Sequence, residues 1–293
     1  MSFVPRLVPT ARGVMQAAVA GEGPAVLLVH GMPGDWRQAQ AIARPLLEQC
    51  TVVLVSRPGY GATPLRTGRT IPDQARAIAA LLDVLAIDAV TLVGVSGGGP
   101  STTTFTRLFP ERSTGLLLVS AVCPDLLALP PIARRLAAVP GIWESLSAPH
   151  RAIEQRKVRA GFDELTNLTD VEVQAVIARP EARADLRRFV IERPSVLRGA
   201  GLRNDVVQCW ASRREPVPTW TTAPPTLVMH GDVDVVVPVA HAHEHVRRIP
   251  GAQLDVFPGW GHALPLVAAD KVAAAAAALA LVGGGPPHSA RSV

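Results

Sequence analysis

The strongest structural signal in the chain is Thr91-Leu92-Val93-Gly94-Val95-Ser96-Gly97-Gly98-Gly99-Pro100. Its centre matches the pattern G-x-S-x-G, directly follows an apolar run and precedes a stretch compatible with a helix. Such a pattern places a serine on a sharp strand-to-helix turn, where small neighbours avoid a collision and the first helical amides stabilise negative charge. We therefore predict that Ser96 is a nucleophile. The alternatives are a plain glycine-rich turn and a phosphate-binding loop, which would need a lysine that is absent here.

Six short, mainly apolar runs are spread along the chain, and they are Val26–Val29, Val52–Val55, Val90–Val93, Leu116–Val119, Leu227–Met229 and Leu254–Phe257. Runs of this kind are typical of strands that are buried on both faces, as in parallel sheets. Helical patterns lie between most of them, at Arg37–Gln49, Ile71–Ala86, Gly99–Phe109 and Val239–Arg248. The alternation predicts an α/β fold with a mostly parallel sheet flanked by helices, to which residues 6–20 add a hairpin.

The alternation stops over residues 124–224, where Arg, Glu and Leu recur between several prolines. This composition is typical of short helices that are broken by turns. We interpret residues 124–224 as a helical cap, inserted between two strands and lying over the carboxyl edge of the sheet, where open α/β folds bind ligands. The α/β core then comprises residues 1–123 and 225–282. We expect the Gly- and Pro-rich tail, residues 283–293, to be disordered.

A second motif, His30-Gly31-Met32-Pro33-Gly34-Asp35, follows the first apolar run. Acyl transfer needs two backbone N–H groups that face the oxyanion of the transition state. One is expected from Gly97, directly after the serine, and the other from a loop of this kind, where we choose Met32. His30 is a candidate base by residue type, but a histidine at this position more often supports the loop through hydrogen bonds.

The base and the acid that a nucleophilic serine requires are found late in the chain. The segment that begins at His230-Gly231 and ends at Pro238 offers two aspartates, Asp232 and Asp234, and Gly261-His262 follows the last apolar run. The chain order serine, acid, histidine is the one expected for a triad on such a sheet. We predict that His262 accepts the serine proton and that one of the aspartates fixes its tautomer.

Three further histidines, His241, His243 and His245, resemble a metal site by residue type, and the first and last of them share a helix face. Neither a cysteine nor an aspartate lies nearby to complete a ligand set, and Glu244 lies on another face. We interpret this segment as a surface helix, and we expect neither a metal nor a cofactor.

The composition excludes several classes of protein. Hydrophobic residues make up 48% of the 293 residues, which is enough for a sizeable core. All but two of the basic residues are arginines, and they are scattered, so the net charge of +5 does not indicate nucleic-acid binding. An anionic substrate stays open as an alternative.

Cys50, Cys123 and Cys209 are widely spaced, which favours buried thiols over disulfides.

Neither a signal segment nor a membrane span is expected. The first residues contain no apolar stretch of signal-peptide length, and the apolar run Val272–Val282 is too short to cross a bilayer. We therefore predict a cytoplasmic protein whose partner is a small-molecule substrate, rather than a nucleic acid or a membrane. A homodimer is left open.

Together the motifs resemble the α/β-hydrolase superfamily, and in particular its bacterial cap-bearing esterase-like and peptidase-S33-like members. The resemblance covers residues 25–280 apart from much of the cap. It rests on five motifs in order, which are His30-Gly31-Met32-Pro33-Gly34, Ser56-Arg57-Pro58-Gly59-Tyr60-Gly61, Gly94-Val95-Ser96-Gly97-Gly98, Gly231-Asp232-Val233-Asp234-Val235-Val236-Val237-Pro238 and Gly261-His262. It implies a triad of Ser96, His262 and Asp234, the aspartate at the fourth position of G-x-x-D-x-x-V-P. Asp232 and Asp125 are the alternative acids.

The resemblance implies a serine hydrolase that cleaves a carboxylic ester, thioester or lactone of a small to medium apolar substrate through an acyl-enzyme. The serine nucleophile argues against haloalkane dehalogenases and epoxide hydrolases, and Met32 departs from the His-Gly-Gly-Pro-Gly loop of proline iminopeptidases. The alternatives are a natural-product tailoring enzyme (cyclase, lyase or cofactor-free haloperoxidase-like), an aminopeptidase or amidase, and a binding protein. Candidate substrate contacts, each also suited to ordinary packing, are Trp143, Phe162, Phe189, Trp210 and Trp260.

Overall fold

A computed structural model of the protein describes residues 3–123, 126, 168–179, 181–185, 200–211, 220–283 and 288–289, with the side chains of 209–211 and 288–289 excluded. The strands are β1 (Arg6–Thr10), β2 (Gly13–Ala20), β3 (Glu22–Gly23), β4 (Ala25–Val29), β5 (Thr51–Val55), β6 (Val90–Val95), β7 (Ser113–Val119), β8 (Thr226–Gly231), β9 (Gln253–Phe257) and β10 (His288–Ser289). Eight of them form one sheet in the order β1-β2-β5-β4-β6-β7-β8-β9.

The pairing within this sheet follows the predicted α/β pattern. β1 and β2 form an antiparallel hairpin, and β2 also pairs antiparallel with β5. All the remaining neighbours, from β5 through β4, β6, β7 and β8 to β9, are parallel. The six predicted strands and the N-terminal hairpin are confirmed. Because parallel strands end at the same edge, the loops after β4, β6, β8 and β9 are brought together there.

Helices pack on both faces of the sheet. They are α1 (Gln40–Leu46), α2 (Ile71–Val84), α3 (Gly99–Leu108), α4 (Asp170–Ala178), α5 (Ala200–Ala211), α6 (Ala240–Arg248), α7 (Leu264–Val267) and α8 (Ala269–Val282). Alternate residues of each strand contact opposite layers, since successive side chains point to opposite faces. Leu27 and Val29 of β4 join α2, α3 and α6 in one core, whereas Val26 and Leu28 join α1 and α8 in the other.

The first predicted helix, Arg37–Gln49, is wrong in its extent. A 3₁₀ helix, Trp36–Ala39, comes first, and the α-helix covers only Gln40–Leu46. Asp35 begins this region because its carboxylate accepts the N–H of Arg37 at 2.9 Å. Pro45 lies inside the short helix and cannot donate a hydrogen bond to the preceding turn, which explains an early end. The other three predicted helices are confirmed to within two residues at each end.

Most of the described residues of the inserted segment (residues 124–224) are helical, at α4, at residues 181–185 and at α5, whereas the described residues 220–224 form no helix. Helix α5 lies against the loop that follows β5, where the Gly201 N–H donates to the Gly59 carbonyl at 2.9 Å. A Cβ placed on Gly59 would lie 2.6 Å from the Cα of Gly201. The two backbones are therefore in direct contact. That the segment covers the site as a cap remains a prediction.

Part of the predicted disordered tail departs from that expectation. His288 and Ser289 pair antiparallel with Gly23 and Glu22 of β3, whose edge offers backbone groups for pairing. Among the helices that the structure describes, none has the length and apolar character needed to cross a membrane. Cys50 and Cys123 are buried and are not joined in disulfides, whereas the side chain of Cys209 lies outside the description.

Candidate active site

Ser96 lies at the turn between β6 and α3, with its side chain at the carboxyl edge of the sheet. Its φ of +49° is in the left-handed region, which is unfavourable for a residue with a Cβ. A Cβ on Gly94 would lie 2.3 Å from Thr102 Oγ1, and one on Gly98 would lie 2.5 Å from the Val29 carbonyl oxygen. The flanking glycines are therefore required for this strained turn, as the sequence pattern predicts.

Three side chains from three loops meet at this turn. His262, on the loop after β9, places Nε2 3.1 Å from the Oγ of Ser96. Its other ring nitrogen, Nδ1, lies 2.7 Å from Oδ2 of Asp234, on the loop after β8. The structure thus brings together the serine, the histidine and one of the two candidate acids. The arrangement can pass the serine proton to the imidazole while a carboxylate holds the opposite nitrogen.

Asp234 is buried and fully hydrogen-bonded. Its Oδ1 accepts the backbone N–H groups of Val236 at 2.9 Å and Val237 at 2.8 Å, which leaves Oδ2 for His262. Burial raises the pKa of this carboxyl, but the hydrogen bond and charge of His262 and the two backbone amides together lower the pKa below its ordinary value. The Asp234 carboxylate is therefore held in its ionised form, which orients the imidazole.

The structure describes one of the two other candidate acids. Asp232 accepts the N–H of Gly259 through Oδ1 at 2.7 Å and so ties the loop after β8 to the loop after β9. Asp125 lies outside the described residues. Among the described candidate acids, Asp234 is the one that contacts His262.

The loop after β4 places Met32 next to the nucleophile turn. A Cβ on Gly97 would lie 2.6 Å from the Cβ of Met32 and 3.1 Å from its backbone nitrogen, so the two main chains are in contact. Gly97 is in the first helical turn after the strand, where backbone N–H groups have no partner within the helix. Gln38 fixes the loop by accepting the Gly31 N–H at 2.5 Å. The geometry is compatible with Met32 and Gly97 as two oxyanion donors.

His30 supports this loop and does not reach the serine. Its Nδ1 lies 2.7 Å from the Gly31 carbonyl, and its Nε2 accepts the backbone N–H of Arg57 at 2.9 Å. Burial, followed by the charge of Arg57, lowers the pKa of His30 well below its ordinary value. A neutral imidazole that donates at one nitrogen and accepts at the other is therefore built into the loop, in agreement with its predicted role.

Arg57 connects the same loop to the inserted segment. Its guanidinium donates to the carbonyls of His30 at 3.1 Å and Gly31 at 2.9 Å, and it forms an ion pair with Asp205 of α5 at 2.6 Å. The Tyr60 hydroxyl donates to the same carboxylate at 2.8 Å. Both charged side chains are almost fully buried, at 3% and 5% exposure. Sequence reasoning missed Asp205, and no local pattern around it indicates this partner.

Glu172 of α4 was also missed. Its carboxylate accepts the backbone N–H groups of Gly261 at 3.0 Å and Ala263 at 3.1 Å, on either side of His262. A local signal does exist, because Thr169 and Glu172 have the spacing of a capping box, which marks the start of a helix. That pattern predicts the helix but not the second contact.

Of the five aromatic candidates for substrate contact, the structure describes the side chain of Trp260. Trp260 packs edge-on against Phe257, with ring centroids 6.0 Å apart, and contacts a small cluster around Val176 and Val267. Trp260 therefore contributes to the packing between α4 and the base loop, residues 258–263, which joins β9 to α7 and carries His262. Trp143, Phe162 and Phe189 and the side chain of Trp210 lie outside the described residues, so their role in substrate contact stays a prediction.

The prediction that residues 239–248 form a surface helix is wrong for one face of α6. His241 and His245 are buried, and His241 Nδ1 accepts the Cys123 N–H at 3.0 Å. Burial lowers the pKa of His245 to about 4 and also lowers the pKa of His241. Nowhere in the described ranges do three or more His, Cys, Asp or Glu side chains group as a metal site would require.

Comparison with known proteins agrees with this architecture. The alpha/beta hydrolase family matches residues 26–275. The uncharacterized hydrolase YcgS of Bacillus subtilis is 27% identical over 257 residues, which is 85% of this chain and 88% of the relative. A 2-hydroxy-6-oxononadienedioate/2-hydroxy-6-oxononatrienedioate hydrolase of Comamonas testosteroni is 25% identical over 263 residues, covering 83% and 82% of the two chains.

A solved alpha/beta hydrolase fold protein from Nakamurella multipartita is similar along its whole length. It has a TM-score of 0.74 and 28% identity, and the match covers 96% of this chain and 100% of that one. The strand order, the strained serine turn at the end of β6 and the family match over most of the sequence lead to one conclusion. This chain belongs to the alpha/beta hydrolase family.

Proposed function

We propose that this protein is a serine hydrolase that cleaves a carboxylic ester, thioester or lactone through an acyl-enzyme on Ser96. The observation that carries the proposal is the unbroken line of hydrogen bonds from Ser96 Oγ through both ring nitrogens of His262 to Asp234. A serine hydroxyl is a weak nucleophile until a neighbouring base can remove its proton. A structural cluster would have no need for a strained serine that faces an oriented imidazole.

The proposed reaction has two halves. Ser96 Oγ attacks the acyl carbon while His262 Nε2 takes its proton, and Asp234 stabilises the imidazolium that results. The backbone N–H groups of Met32 and Gly97 receive the negative charge on the carbonyl oxygen. When the tetrahedral intermediate collapses, His262 returns the proton to the leaving alcohol or thiol, and the acyl-enzyme remains. Water then repeats the attack with the same base, releasing the carboxylic acid and restoring Ser96.

Hydrolysis is favoured over the tailoring alternatives by the relatives. Both curated relatives described above are named as hydrolases, and each aligns with more than four fifths of this chain. A small to medium apolar substrate fits the proposal best, because ligand pockets of this class are mostly apolar with a few polar groups. It would lie between the carboxyl edge of the sheet and the inserted segment.

Labelling with a fluorophosphonate probe tests the nucleophile directly. The wild-type protein should gain one covalent adduct by intact mass, and Ser96→Ala should gain none. Ser101→Ala is the matched control, because Ser101 is also buried in α3 and its hydroxyl is occupied with the Gly98 carbonyl at 3.1 Å. An unlabelled wild-type protein, or equal labelling of all three proteins, would contradict the proposal.

The substrate class is tested with p-nitrophenyl esters of graded chain length, with thioesters and lactones of matched acyl groups, and with an aminoacyl p-nitroanilide. We expect turnover of at least one of the first three classes and its loss in Ser96→Ala. Cleavage confined to the anilide would instead assign an aminopeptidase or amidase.

A further inference from the structure

A buried carboxylate of the inserted segment is hydrogen-bonded to the base loop, which carries the candidate base. Glu172 is 1% exposed, although its side chain is charged. Its Oε1 accepts two backbone N–H groups at once, from Gly261 at 3.0 Å and from Ala263 at 3.1 Å. These are the residues immediately before and after His262. The chain is therefore fixed on both sides of the imidazole by one oxygen atom.

Helix capping involves only one of the two carboxylate oxygens of Glu172. Oε2 accepts the Thr169 N–H at 3.0 Å, and the Thr169 hydroxyl accepts the Glu172 N–H at 3.3 Å, which completes a capping box at the start of α4. A capping box needs no further partner and is found on exposed helix ends. Here the second oxygen reaches across 89 residues of sequence to the base loop.

The residues of the base loop do little to fix its conformation, so the loop needs support from contacts outside it. It joins β9 to the four-residue helix α7 and contains Gly259 in a left-handed conformation and Gly261. Glycines widen the range of accessible backbone conformations, so the position of His262 depends on contacts from outside the loop. A carboxylate that is taken out of water is stable when its oxygens accept hydrogen bonds, and Glu172 obtains two of its three from this loop.

We infer that Glu172 is a positioning residue that holds His262 between Ser96 and Asp234, so that docking of α4 of the inserted segment onto the core completes the catalytic geometry. This inference rests on the proposed function, because it assigns Glu172 a role through the base of that reaction. Glu172 acts through the Gly261 and Ala263 amides and touches none of the reacting atoms. The inserted segment then contributes to rate as well as to substrate contact.

Three variants separate this role from a plain structural one. Glu172→Met keeps the length of the side chain but removes every acceptor, so we expect kcat to fall about 10- to 100-fold with KM changed less than about threefold. Glu172→Gln retains one carbonyl oxygen for both loop amides and should keep kcat within about threefold of wild type. Thr169→Ala removes the capping hydroxyl of α4 but leaves the carboxylate contacts, so it controls for helix stability.

Hydrogen exchange of the peptide that spans residues 258–266 gives a readout that needs no substrate. In Glu172→Met its protected amides should exchange about tenfold faster, as expected for a lost hydrogen bond. In Glu172→Gln and Thr169→Ala the exchange should match that of wild type. Thermal melts of all four proteins show whether each variant is folded.

The outcomes distinguish the two proposals. If the wild-type protein neither reacts with the fluorophosphonate nor turns over a substrate, the proposed function fails, whatever the exchange shows. If wild type is active but Glu172→Met keeps its kcat, or if Thr169→Ala loses as much kcat as Glu172→Met, the positioning role is overturned while the serine hydrolase stands. Unchanged exchange in folded Glu172→Met would also overturn it.

Discussion

Removing the charge of Asp205 should destabilise the protein far more than removing the charge of an exposed aspartate. Asp205→Asn keeps the size and shape of the side chain but removes the carboxylate that pairs with the Arg57 guanidinium, which is 3% exposed. Breaking a buried ion pair by removing one partner typically costs about 3 to 5 kcal/mol, because the remaining charge is buried without compensation. Arg57 retains two carbonyl acceptors here, so we expect the lower end, about 3 kcal/mol.

Urea unfolding followed by tryptophan fluorescence measures this free energy, and the change should appear in the midpoint rather than in the slope. Asp83→Asn is the matched control, since the Asp83 carboxylate is 64% exposed and pairs with Arg112 at 2.6 Å. An exposed pair of this kind contributes at most about 1 kcal/mol. A loss for Asp205→Asn that is no larger than the loss for Asp83→Asn would refute the reasoning.

The double variant Arg57→Met with Asp205→Leu sharpens the test. Replacing a buried ion pair by apolar residues of similar volume is often neutral or stabilising. Here Arg57 also donates to the carbonyls of His30 and Gly31, and the Tyr60 hydroxyl donates to Asp205, so the double variant would lose these three hydrogen bonds. We therefore expect the double variant to remain about 1 to 3 kcal/mol less stable than wild type. Full recovery of stability would show that these three hydrogen bonds contribute nothing.

Three further results are expected. Asp234→Asn should lower kcat by about 10⁴-fold because the imidazole loses the partner of its tautomer, whereas Asp232→Asn, which changes a loop contact only, should retain most of the activity. Gly97→Ala should lower kcat/KM by about 10²-fold or more, since its Cβ would displace Met32 from the oxyanion site; unchanged ester kinetics would contradict this. Because burial holds the pKa of His245 at about 4 in the folded chain, against 6.5 in the unfolded chain, the unfolded state binds more protons in between. The contribution of His245 to the free energy of unfolding should therefore fall by about 3 kcal/mol as the pH drops through that window. In urea titrations His245→Asn should remove this part of the pH dependence and leave the part that His30 and His241 contribute.

The sheet could be predicted because its strands are buried on both faces. A run such as Val26–Val29 can fit few other environments, and the order of runs and helices then limits the topology. Helix α1 was predicted too long because apolar spacing continues past Pro45, although its ring removes a backbone donor. The buried face of α6 was missed because the spacing of His241 and His245 defines a shared face without showing which way it points.

The candidate site could be assembled from sequence as far as each residue belonged to a local pattern. Ser96 directly follows one strand run and His262 lies on the loop after another, so the topology itself brings them to one edge. Glu172 contacts Gly261, which is 89 residues away, and Asp205 contacts Tyr60, which is 145 residues away. Contacts between residues so far apart in the chain produce no periodic pattern in the sequence. The supporting contacts from the inserted segment therefore needed coordinates.

Because the backbones of Gly59 and Gly201 are in contact, the inserted segment cannot be exchanged independently of the core. Any side chain at either position would push α5 outward, and one on Gly201 would collide with the Tyr60 ring at 2.4 Å. Residues in direct contact do not tolerate change independently. If the inserted segment were replaced by that of another protein to change substrate selectivity, the loop after β5 would have to be replaced as well. Both sides of the contact between Gly59 and Gly201 would then come from the same protein.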